Sequence, residues 1–384
     1  MKATGIIVEY NPFHNGHKYH LEKAKKKNRK NIIIAVMSGN FLQRGEPAVL
    51  NKWVRTEMAL LNGVDIVVEL PVFYSIKSAE GFAEGAVRIL DALNVETIIF
   101  GSEAGEINEL KEIANLHFNE NFQNLIKNRL KTGVSYPNAF NEALNEYGIL
   151  KELKPNNILG VEYIKAGEKI KSKINFQTIK REKVDFYGEE IREKITSATN
   201  IRKLIINNEI EKIKETVPGN CYNLIKKNLD KIVTLDDFYP YIRYEIINNY
   251  KKLKKLKDIE QGLENRIYNV ALQSENIIEF LENIKTKRYT TSRIKRILIS
   301  ILIGMYEDEY QLDYIKILGF TGNGRKYLNY IKNNCKLDFI TNIKNLKENF
   351  TKERRERMSF EFKTDNIYKL VKSYEERKYP VIVK

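Results

Sequence analysis

The chain has 384 residues, of which 42% are hydrophobic, and it carries a formal net charge of +15. This length and composition allow two domains with sizeable cores. The two cysteines lack a metal-like spacing and argue against a disulfide scaffold. No apolar run is long enough for a membrane span or a signal peptide. We therefore expect a soluble cytoplasmic protein.

The first predicted element is a buried strand over Thr4–Glu9, whose isoleucines and valine precede the turn former Asn11-Pro12. From Gly16 or His17 onward apolar residues recur at helical spacing among lysines, which predicts a helix. The residues between them therefore form a strand-to-helix turn.

Three of the four histidines, His14, His17 and His20, lie in this turn and the first helical residues. A helix N-terminus presents unpaired amides and a partial positive charge, and Gly16 would let a ligand approach the backbone. His14 and His17 are three residues apart and should point at the same group. The pattern favours a phosphate site, although the histidines could instead bind zinc or serve as capping and core residues, and His20 could simply lie on the helix surface.

Strands and helices then alternate along the chain. We predict strands over Asn31–Met37, Asp65–Leu70, Glu96–Phe100 and Ile174–Ile179, and helices over Lys52–Leu61, Ser78–Leu93, most of Ile107–Asn145 and Lys154–Ala166. Such alternation predicts an α/β fold with a Rossmann-like, doubly wound parallel sheet. Ligands bind beyond the carboxyl ends of these strands, so loops 11–17, 38–46 and 101–103 should share one rim.

A second phosphate-binding element is predicted where Thr196–Arg202 (TSATNIR) opens a helix. Hydroxyl groups and backbone amides at a helix start can bind phosphate oxygens, and Arg202 adds positive charge. The same residues are also typical of an ordinary helix cap. Arg44, on the predicted rim, is either a contact for an anionic group or a solvated surface residue.

From about residue 208 charged helical patterns dominate, and Ile259–Ile284 predicts two helices. Lys285–Arg296 (KTKRYTTSRIKR), called the basic segment below, holds six basic residues, Tyr289 and no acidic residue. Positive charge for phosphates and an aromatic ring for stacking favour an RNA-binding surface, with a solvated charged face as the alternative. The net charge alone decides little, because a Lys-, Asn- and Ile-rich composition also produces it.

His14-Asn15-Gly16-His17 resembles the H-x-G-H signature of the nucleotidyltransferase superfamily. The longer string EYNPFHNGHKYH, followed by MSGNFLQRGEPAVLNKW, GVDIVVELP, FGSE, KPNNILGVEY and KTKRYTTSRIKR, resembles the bacterial tRNA(Met) cytidine acetate ligases. Ile317–Phe320 also resembles a turn of that family. One departure is Asp185-Phe186-Tyr187-Gly188, where the relatives have Tyr-His-Asp.

The resemblance implies an ATP-dependent ligase. Acetate would be activated as acetyl adenylate and then transferred to the wobble cytidine of elongator tRNA(Met), giving N4-acetylcytidine. It further implies ATP with Mg²⁺ and no acetyl-CoA. The change of pattern near residue 208 then divides the chain into a nucleotidyltransferase domain over residues 1–208 and a mainly α-helical, basic, tRNA-binding domain over residues 209–384. The alternatives are a small-molecule adenylyltransferase of coenzyme biosynthesis and a nonenzymatic RNA-binding protein with a relic nucleotide fold.

The resemblance also assigns roles to individual residues. His14, Gly16 and His17 would be catalytic, and no protein ligands for a metal are assigned. ATP would contact Ile7, Val8, Glu9, Tyr10, Asn11, Pro12, Phe13, His14, Asn15, Gly16, His17, Lys18, Tyr19, His20, Gly101, Asn157 (with Asn156 as the second choice), Arg181, Ser197 and Thr199. In the basic segment, tRNA would contact Lys285, Lys287, Arg288, Tyr289, Arg293, Lys295 and Arg296.

Overall fold

The computed structural model describes residues 1–149, 153–181, 196–286, 288–306, 310–341 and 350–383. The five predicted strands are all present, as β1 (Ala3–Val8), β2 (Ile32–Ser38), β3 (Ile66–Leu70), β4 (Thr97–Ser102) and β5 (Asn175–Lys180). They form because short, β-branched runs can be buried on both faces of a sheet, and β2 and β3 are buried at every residue.

These strands lie in the order β5-β4-β1-β2-β3 and are all parallel to their neighbours. The register pairs Val8 of β1 with Met37 of β2, and Ser38 of β2 with Leu70 of β3, so the three carboxyl ends lie side by side. The order of connection reverses at β1, between β2 and β4, which opens a crevice beyond the carboxyl ends. The predicted α/β fold is therefore confirmed, and the turn after β1 lies at this crevice.

Helices cover the sheet and make up most of the region between residues 198 and 303. The α-helices are Asn15–Lys27, Lys52–Leu61, Val72–Ser75, Ala79–Ala92, Ile107–Leu116, Glu120–Lys131, Tyr136–Glu146, Pro155–Lys169, Ala198–Ile206, Gly219–Lys227, Leu235–Asn248, Tyr250–Leu253, Leu263–Gln273, Ile277–Asn283, Thr291–Ile303, Gly322–Ile331 and Lys352–Lys369. None of the helices in the described ranges is long and apolar enough to cross a membrane.

The sheet also contains three strands that come from beyond residue 208. β6 (Tyr314–Thr321) pairs antiparallel with β3, and β7 (Asp338–Ile340) and β8 (Val381–Val383) each pair parallel with β6. The interpretation of Ile317–Phe320 as a turn is wrong, because these residues lie within β6, where Ile317, Gly319 and Phe320 pair with β3. The boundary at residue 208 stays a prediction, and the region after it contributes strands as well as helices.

A buried ion network joins the C-terminal region to the sheet. It consists of Lys52 and Lys316 with Glu69 and Asp365, all at most 8% exposed. Lys52 Nζ lies 2.9 Å from Glu69 Oε1 and also contacts Asp365, while Lys316 Nζ lies 2.7 Å from Glu69 Oε2. Burial disfavours the charged carboxylate, but Lys316 and Lys52 outweigh it and hold the pKa of Glu69 below its usual range.

Candidate functional site

The turn after β1 is fixed by its own side chains. His14 is the N-cap of the helix Asn15–Lys27, and its Nδ1 accepts a hydrogen bond of 3.0 Å from Gly16 N. In return, His17 Nδ1 accepts a hydrogen bond of 3.3 Å from His14 N. The two imidazole rings are stacked, with centroids 3.7 Å apart. His14 and His17 therefore lie on the same side of the helix start, in a capping box made of histidines.

These hydrogen bonds set the tautomers of the two histidines. A ring nitrogen that accepts a hydrogen bond carries no proton, so in the neutral ring the proton lies on Nε2. Burial, together with the positive charges of Arg181 and Arg202, lowers the pKa of His14 to about 4, and burial also lowers the pKa of His17. At neutral pH the helix start therefore offers two neutral Nε2–H donors, which suit a phosphate group. Its first amides already have acceptors within the protein, Thr216 O for Asn15 N at 3.0 Å and His14 Nδ1 for Gly16 N.

The lowered pKa values predict a loss of stability in mild acid. The unfolded chain has histidines with pKa near 6.5, so below that pH it binds more protons than the folded protein. The free energy of unfolding should then fall between pH 6.5 and 5, by about 1.4 kcal/mol per pH unit for each proton taken up. Denaturant unfolding at several pH values measures this slope, and His14→Asn should reduce it. An unchanged slope in that variant would contradict a neutral, buried His14.

His20 lies deeper than a helix-surface residue. A Cβ on Gly101, in β4, would lie 3.2 Å from Arg181 Cγ and 3.7 Å from His20 Cδ2, so the absence of a side chain at 101 lets both residues approach that strand. Burial and Arg181 lower the pKa of His20 to about 4. The structure therefore brings His20, Gly101 and Arg181 together next to the histidine turn, and their contact with ATP stays a prediction.

The two candidate asparagines differ in what they contact. Asn157 is 7% exposed, and its Oδ1 accepts hydrogen bonds of 2.8 and 3.0 Å from the backbone N–H groups of Glu103 and Ala104. Asn156 donates to Glu103 Oε1 at 2.6 Å and accepts from Arg181 Nη1 at 3.3 Å. Asn157 thus shapes the loop after β4, whereas Asn156 is grouped with Arg181.

The second predicted phosphate element lies against the first. Ser197 caps the helix Ala198–Ile206, its Oγ accepting a hydrogen bond of 3.1 Å from Asn200 N. Arg202 of this helix donates to the backbone oxygen of Asn11 at 3.1 Å and to Thr199 Oγ1 at 3.3 Å. One guanidinium therefore ties the start of this helix to the histidine turn, and Ser197 and Thr199 remain at the surface.

Other residues of the predicted ATP stretch support the turn from below. Tyr10, Asn11, Pro12 and Phe13 are buried, and Asn11 Oδ1 accepts a hydrogen bond of 2.8 Å from Val49 N. Ile7, Val8, Glu9, Asn15 and Tyr19 are half-buried, and Lys18 is exposed. The buried members therefore position the turn.

Sequence reasoning missed Arg55, which is fully buried and joins the ends of β1 and β2. Its guanidinium donates to the backbone oxygens of Glu9 at 2.6 Å and Ser38 at 3.1 Å, and also to Gly39. Helical spacing contained the signal, because Lys52 and Arg55 fall on the same side of their helix as buried Thr56 and Ala59. A charged residue at a core-facing position indicates a buried polar network.

Loop 42–46, called the rim loop, connects the histidine turn to the basic segment. On one side, Gln43 N donates to Glu9 Oε1 at 2.9 Å, and Arg202 Nη2 lies 3.6 Å from Glu46 Oε2. On the other side, Lys295 Nζ lies 2.6 Å from Glu46 Oε1. Glu46 therefore pairs with a cation from each predicted site, and the basic segment ends beside the nucleotide rim.

Close backbone contact reinforces that junction. Gly45 has φ +73°, and a Cβ there would lie 2.3 Å from Arg296 N, so glycine is required both by the left-handed conformation and by the approach of the helix Thr291–Ile303. Arg296 Nη1 also donates to Gln43 O at 3.3 Å. Lys295 and Arg296 thus hold the basic segment to the rim loop.

The remaining basic-segment residues are partly neutralised. Arg293 Nη2 lies 3.0 Å from Glu260 Oε1, and Arg288 pairs with the same carboxylate. Tyr289 lies between these two arginines and donates to Glu260 Oε2 at 3.4 Å. Lys285 is exposed. Lys287 lies outside the described residues, as does the departure at 185–188.

The chain is similar to known proteins over nearly its whole length. A family model described as HIGH Nucleotidyl Transferase matches residues 1–380. A tRNA(Met) cytidine acetate ligase of Fusobacterium nucleatum is 41% identical, over 100% of this chain and 99% of the relative. The chain belongs to the tRNA(Met) cytidine acetate ligase family of HIGH nucleotidyltransferases. The ligase of Caldicellulosiruptor saccharolyticus is 46% identical over 89% of this chain and 88% of the relative.

A solved structure shares the fold of this family member over its whole length. The crystal structure of Thermotoga maritima TmcAL bound with alpha-thio ATP has 34% identity and a TM-score of 0.90, covering 100% of this chain and 99% of that one. The apo form of the same protein matches with a TM-score of 0.89. The α/β nucleotidyltransferase fold is thus shared with a protein that binds an ATP analogue.

Proposed function

We propose that the protein is an ATP-dependent tRNA(Met) cytidine acetate ligase. An acetate oxygen attacks the α-phosphorus of ATP and expels pyrophosphate, which gives acetyl adenylate. The exocyclic amine of the wobble cytidine in elongator tRNA(Met) then attacks the acetyl carbonyl, expels AMP and loses a proton to solvent. The product is N4-acetylcytidine, and acetyl-CoA takes no part. The names of the relatives support this substrate and acceptor.

One observation carries the nucleotide half of the proposal. The histidine turn and the start of the helix Ala198–Ile206 are joined by Arg202, which bonds Asn11 O and Thr199 Oγ1. Two helix N-termini, each with side chains suited to phosphate oxygens, thus meet at the carboxyl ends of the parallel strands. Transfer at phosphorus depends on positioning and charge neutralisation, which such a pair supplies.

The residues take the following roles in this mechanism. His14 and His17 donate Nε2–H hydrogen bonds to the phosphates as negative charge develops, and Gly16 lets the nucleotide approach the backbone. Ser197 and Thr199 bind the triphosphate. The nucleoside side of the site is lined by Gly101, Arg181, His20 and the two asparagines. Asn157 shapes the loop there, and Asn156 lies beside Arg181.

Mg²⁺ would enter with the nucleotide. Over the described ranges, no three His, Cys, Asp or Glu side chains are grouped to hold a metal ion. Mg²⁺ commonly binds through substrate phosphates and water with few protein ligands, so the phosphate-binding turns fit a nucleotide-borne ion. The ion would neutralise phosphate charge while the chain's own donors orient the α-phosphorus.

We further propose a division of labour along the chain, with residues 1–208 binding ATP and residues 209–384 binding tRNA. The basic segment ends at the rim loop, where Lys295 and Arg202 share Glu46. An RNA held there lies beside the nucleotide site, which transfer of the acetyl group requires. The target cytidine must leave its stack to reach it.

Acetate-dependent pyrophosphate exchange tests this function without RNA. Protein with Mg-ATP and labelled pyrophosphate should form labelled ATP only when acetate is present. A small-molecule adenylyltransferase of coenzyme biosynthesis would exchange with a phosphorylated acceptor in place of acetate. A relic fold would show no exchange with acetate or with a phosphorylated acceptor. Exchange that needs a phosphorylated acceptor, or no exchange at all, would overturn the proposal.

A further inference from the structure

The segment 250–257 (YKKLKKLK), called the lysine segment below, lies next to the basic segment. It contains Lys251, Lys252, Lys254, Lys255 and Lys257, and all five are exposed. Leu253 and Leu256 between them are buried, at 0% and 5% exposure. The two leucines anchor the backbone to the core and so present the lysines to solvent as a fixed group.

These lysines have few acidic neighbours. Lys254 Nζ lies 3.8 Å from Glu264 Oε1, and the other four form no ion pair with any residue that the structure describes. Four like charges within seven residues, with no ion-pair partner among the described residues, repel one another, and a polyanion would relieve that repulsion. In the basic segment, by contrast, three of the six cations have carboxylate partners, since Glu260 pairs with Arg288 and Arg293 and Glu46 pairs with Lys295.

The two segments form one continuous surface. Asp258 and Glu260 follow the lysine segment directly, and Arg293 Nη2 donates to Asp258 O at 3.0 Å and lies 3.0 Å from Glu260 Oε1. Lys257 also lies with Lys77 around a shallow cleft, and Lys77 O is 3.5 Å from Gln43 Nε2 on the rim loop. These contacts place the lysine segment beside the basic segment and link both to the rim loop, with Asp258 and Glu260 between the two groups of cations.

Exposed aromatic rings lie just before the lysines. On the helix Leu235–Asn248, Tyr241 and Tyr244 are three residues apart and 41% and 63% exposed. Exposed tyrosine rings and cationic groups on consecutive helices suit RNA, whose phosphates and unstacked bases need both. An anionic membrane would call for a broad apolar surface next to the charge, and between the tyrosines and the lysines only Ile247, at 40% exposure, presents an aliphatic side chain to solvent.

We propose that the lysine segment is the main phosphate-binding surface for the tRNA, and that the basic segment mainly fixes this surface to the nucleotide rim. This inference rests on the proposed function for the identity of the RNA. Lys251, Lys252, Lys255 and Lys257 contact backbone phosphates, and Tyr241 and Tyr244 offer faces for unpaired bases.

The test compares two variants that lose the same charge. K251Q/K252Q/K255Q/K257Q removes the unpaired lysines, and K111Q/K127Q/K131Q/K171Q removes four exposed lysines elsewhere. Binding of unmodified elongator tRNA(Met) transcript is measured at several salt concentrations. The first variant should raise Kd about 30-fold or more at 0.1 M salt and lower the salt slope by about 3, since each lost phosphate contact removes roughly 0.7–0.9. The control should change Kd less than about threefold.

Four results would overturn the proposal. Two concern the glutamine variants: both weaken tRNA binding equally, or the first binds tRNA as tightly as wild type. The other two are equal binding of the wild-type protein to phosphatidylserine vesicles and to tRNA, and loss of tRNA binding when the same four lysines become arginine. Thermal unfolding of each variant checks the fold, and the arginine variant keeps the test valid if the glutamine variant unfolds. Wild-type protein with acetate-dependent exchange but no tRNA binding would overturn this inference. Wild-type protein that binds tRNA through the lysines without exchange would overturn the proposed reaction alone.

Discussion

His14→Asn should fold normally and still lose nearly all acetate-dependent pyrophosphate exchange. Asparagine is a good N-cap residue, so its side-chain oxygen can replace His14 Nδ1 as the acceptor from Gly16 N. It provides no donor at the position of Nε2. Removal of one donor to a developing charge typically costs about 10²–10³-fold in rate, and His17→Ala should show a loss of the same order. Exchange kinetics with and without acetate measure both.

The control is His117→Gln, which changes the one histidine outside the turn and should leave exchange within about twofold of wild type. Binding of tRNA should stay within a similar range in all these variants, because the basic and lysine segments are untouched. A His14→Asn protein that keeps full exchange would show that His14 only caps the helix. Parallel loss of exchange, tRNA binding and thermal stability would indicate a structural role.

Lys52→Met should destabilise the protein strongly. Lys52 is fully buried, and its removal leaves Glu69 and Asp365 short of a positive charge in the core. Loss of one partner from a buried ion pair costs about 3–5 kcal/mol, and the free energy of unfolding should fall by that amount in denaturant titrations. Lys316 alone then faces both carboxylates.

The matched control is Lys2→Met, the same substitution in an exposed pair with Glu96, which should cost less than about 1 kcal/mol. Adding Asp365→Asn to Lys52→Met should restore part of the lost stability, because one uncompensated charge is removed. A Lys52→Met protein as stable as the control would show that the buried ion network contributes little to holding the C-terminal helix against the sheet.

The first five strands could be predicted from the sequence because each is a short apolar run between turn formers, as in NIIIAVMSGN. β6 was missed although it has the same apolar character, since its partner β3 lies about 250 residues earlier and sequence periodicity carries no information on such pairing. β7 and β8 contain three residues each, too few for a periodic pattern. The antiparallel β3–β6 pair follows from tertiary packing alone.

The candidate site likewise contains features that the sequence predicts and features that only the fold shows. The histidine turn and the helix cap at Ser197 are local patterns, so the sequence could place them. The roles of Arg55, Glu46 and Glu260 depend on contacts between distant segments, and a run of arginines and lysines does not reveal which carboxylates pair with them. Because Arg288 and Arg293 pair with Glu260, their charge is partly neutralised, and only the fold shows this pairing.

The most direct test of the proposed function follows the acetyl group itself. The protein is incubated with Mg-ATP, isotope-labelled acetate and unmodified bulk tRNA, and the digested nucleosides are analysed by mass spectrometry. We expect labelled N4-acetylcytidine that requires ATP and forms without acetyl-CoA. Folded protein that exchanges pyrophosphate yet leaves every cytidine unlabelled would contradict the acetate ligase function and direct the search to another acceptor.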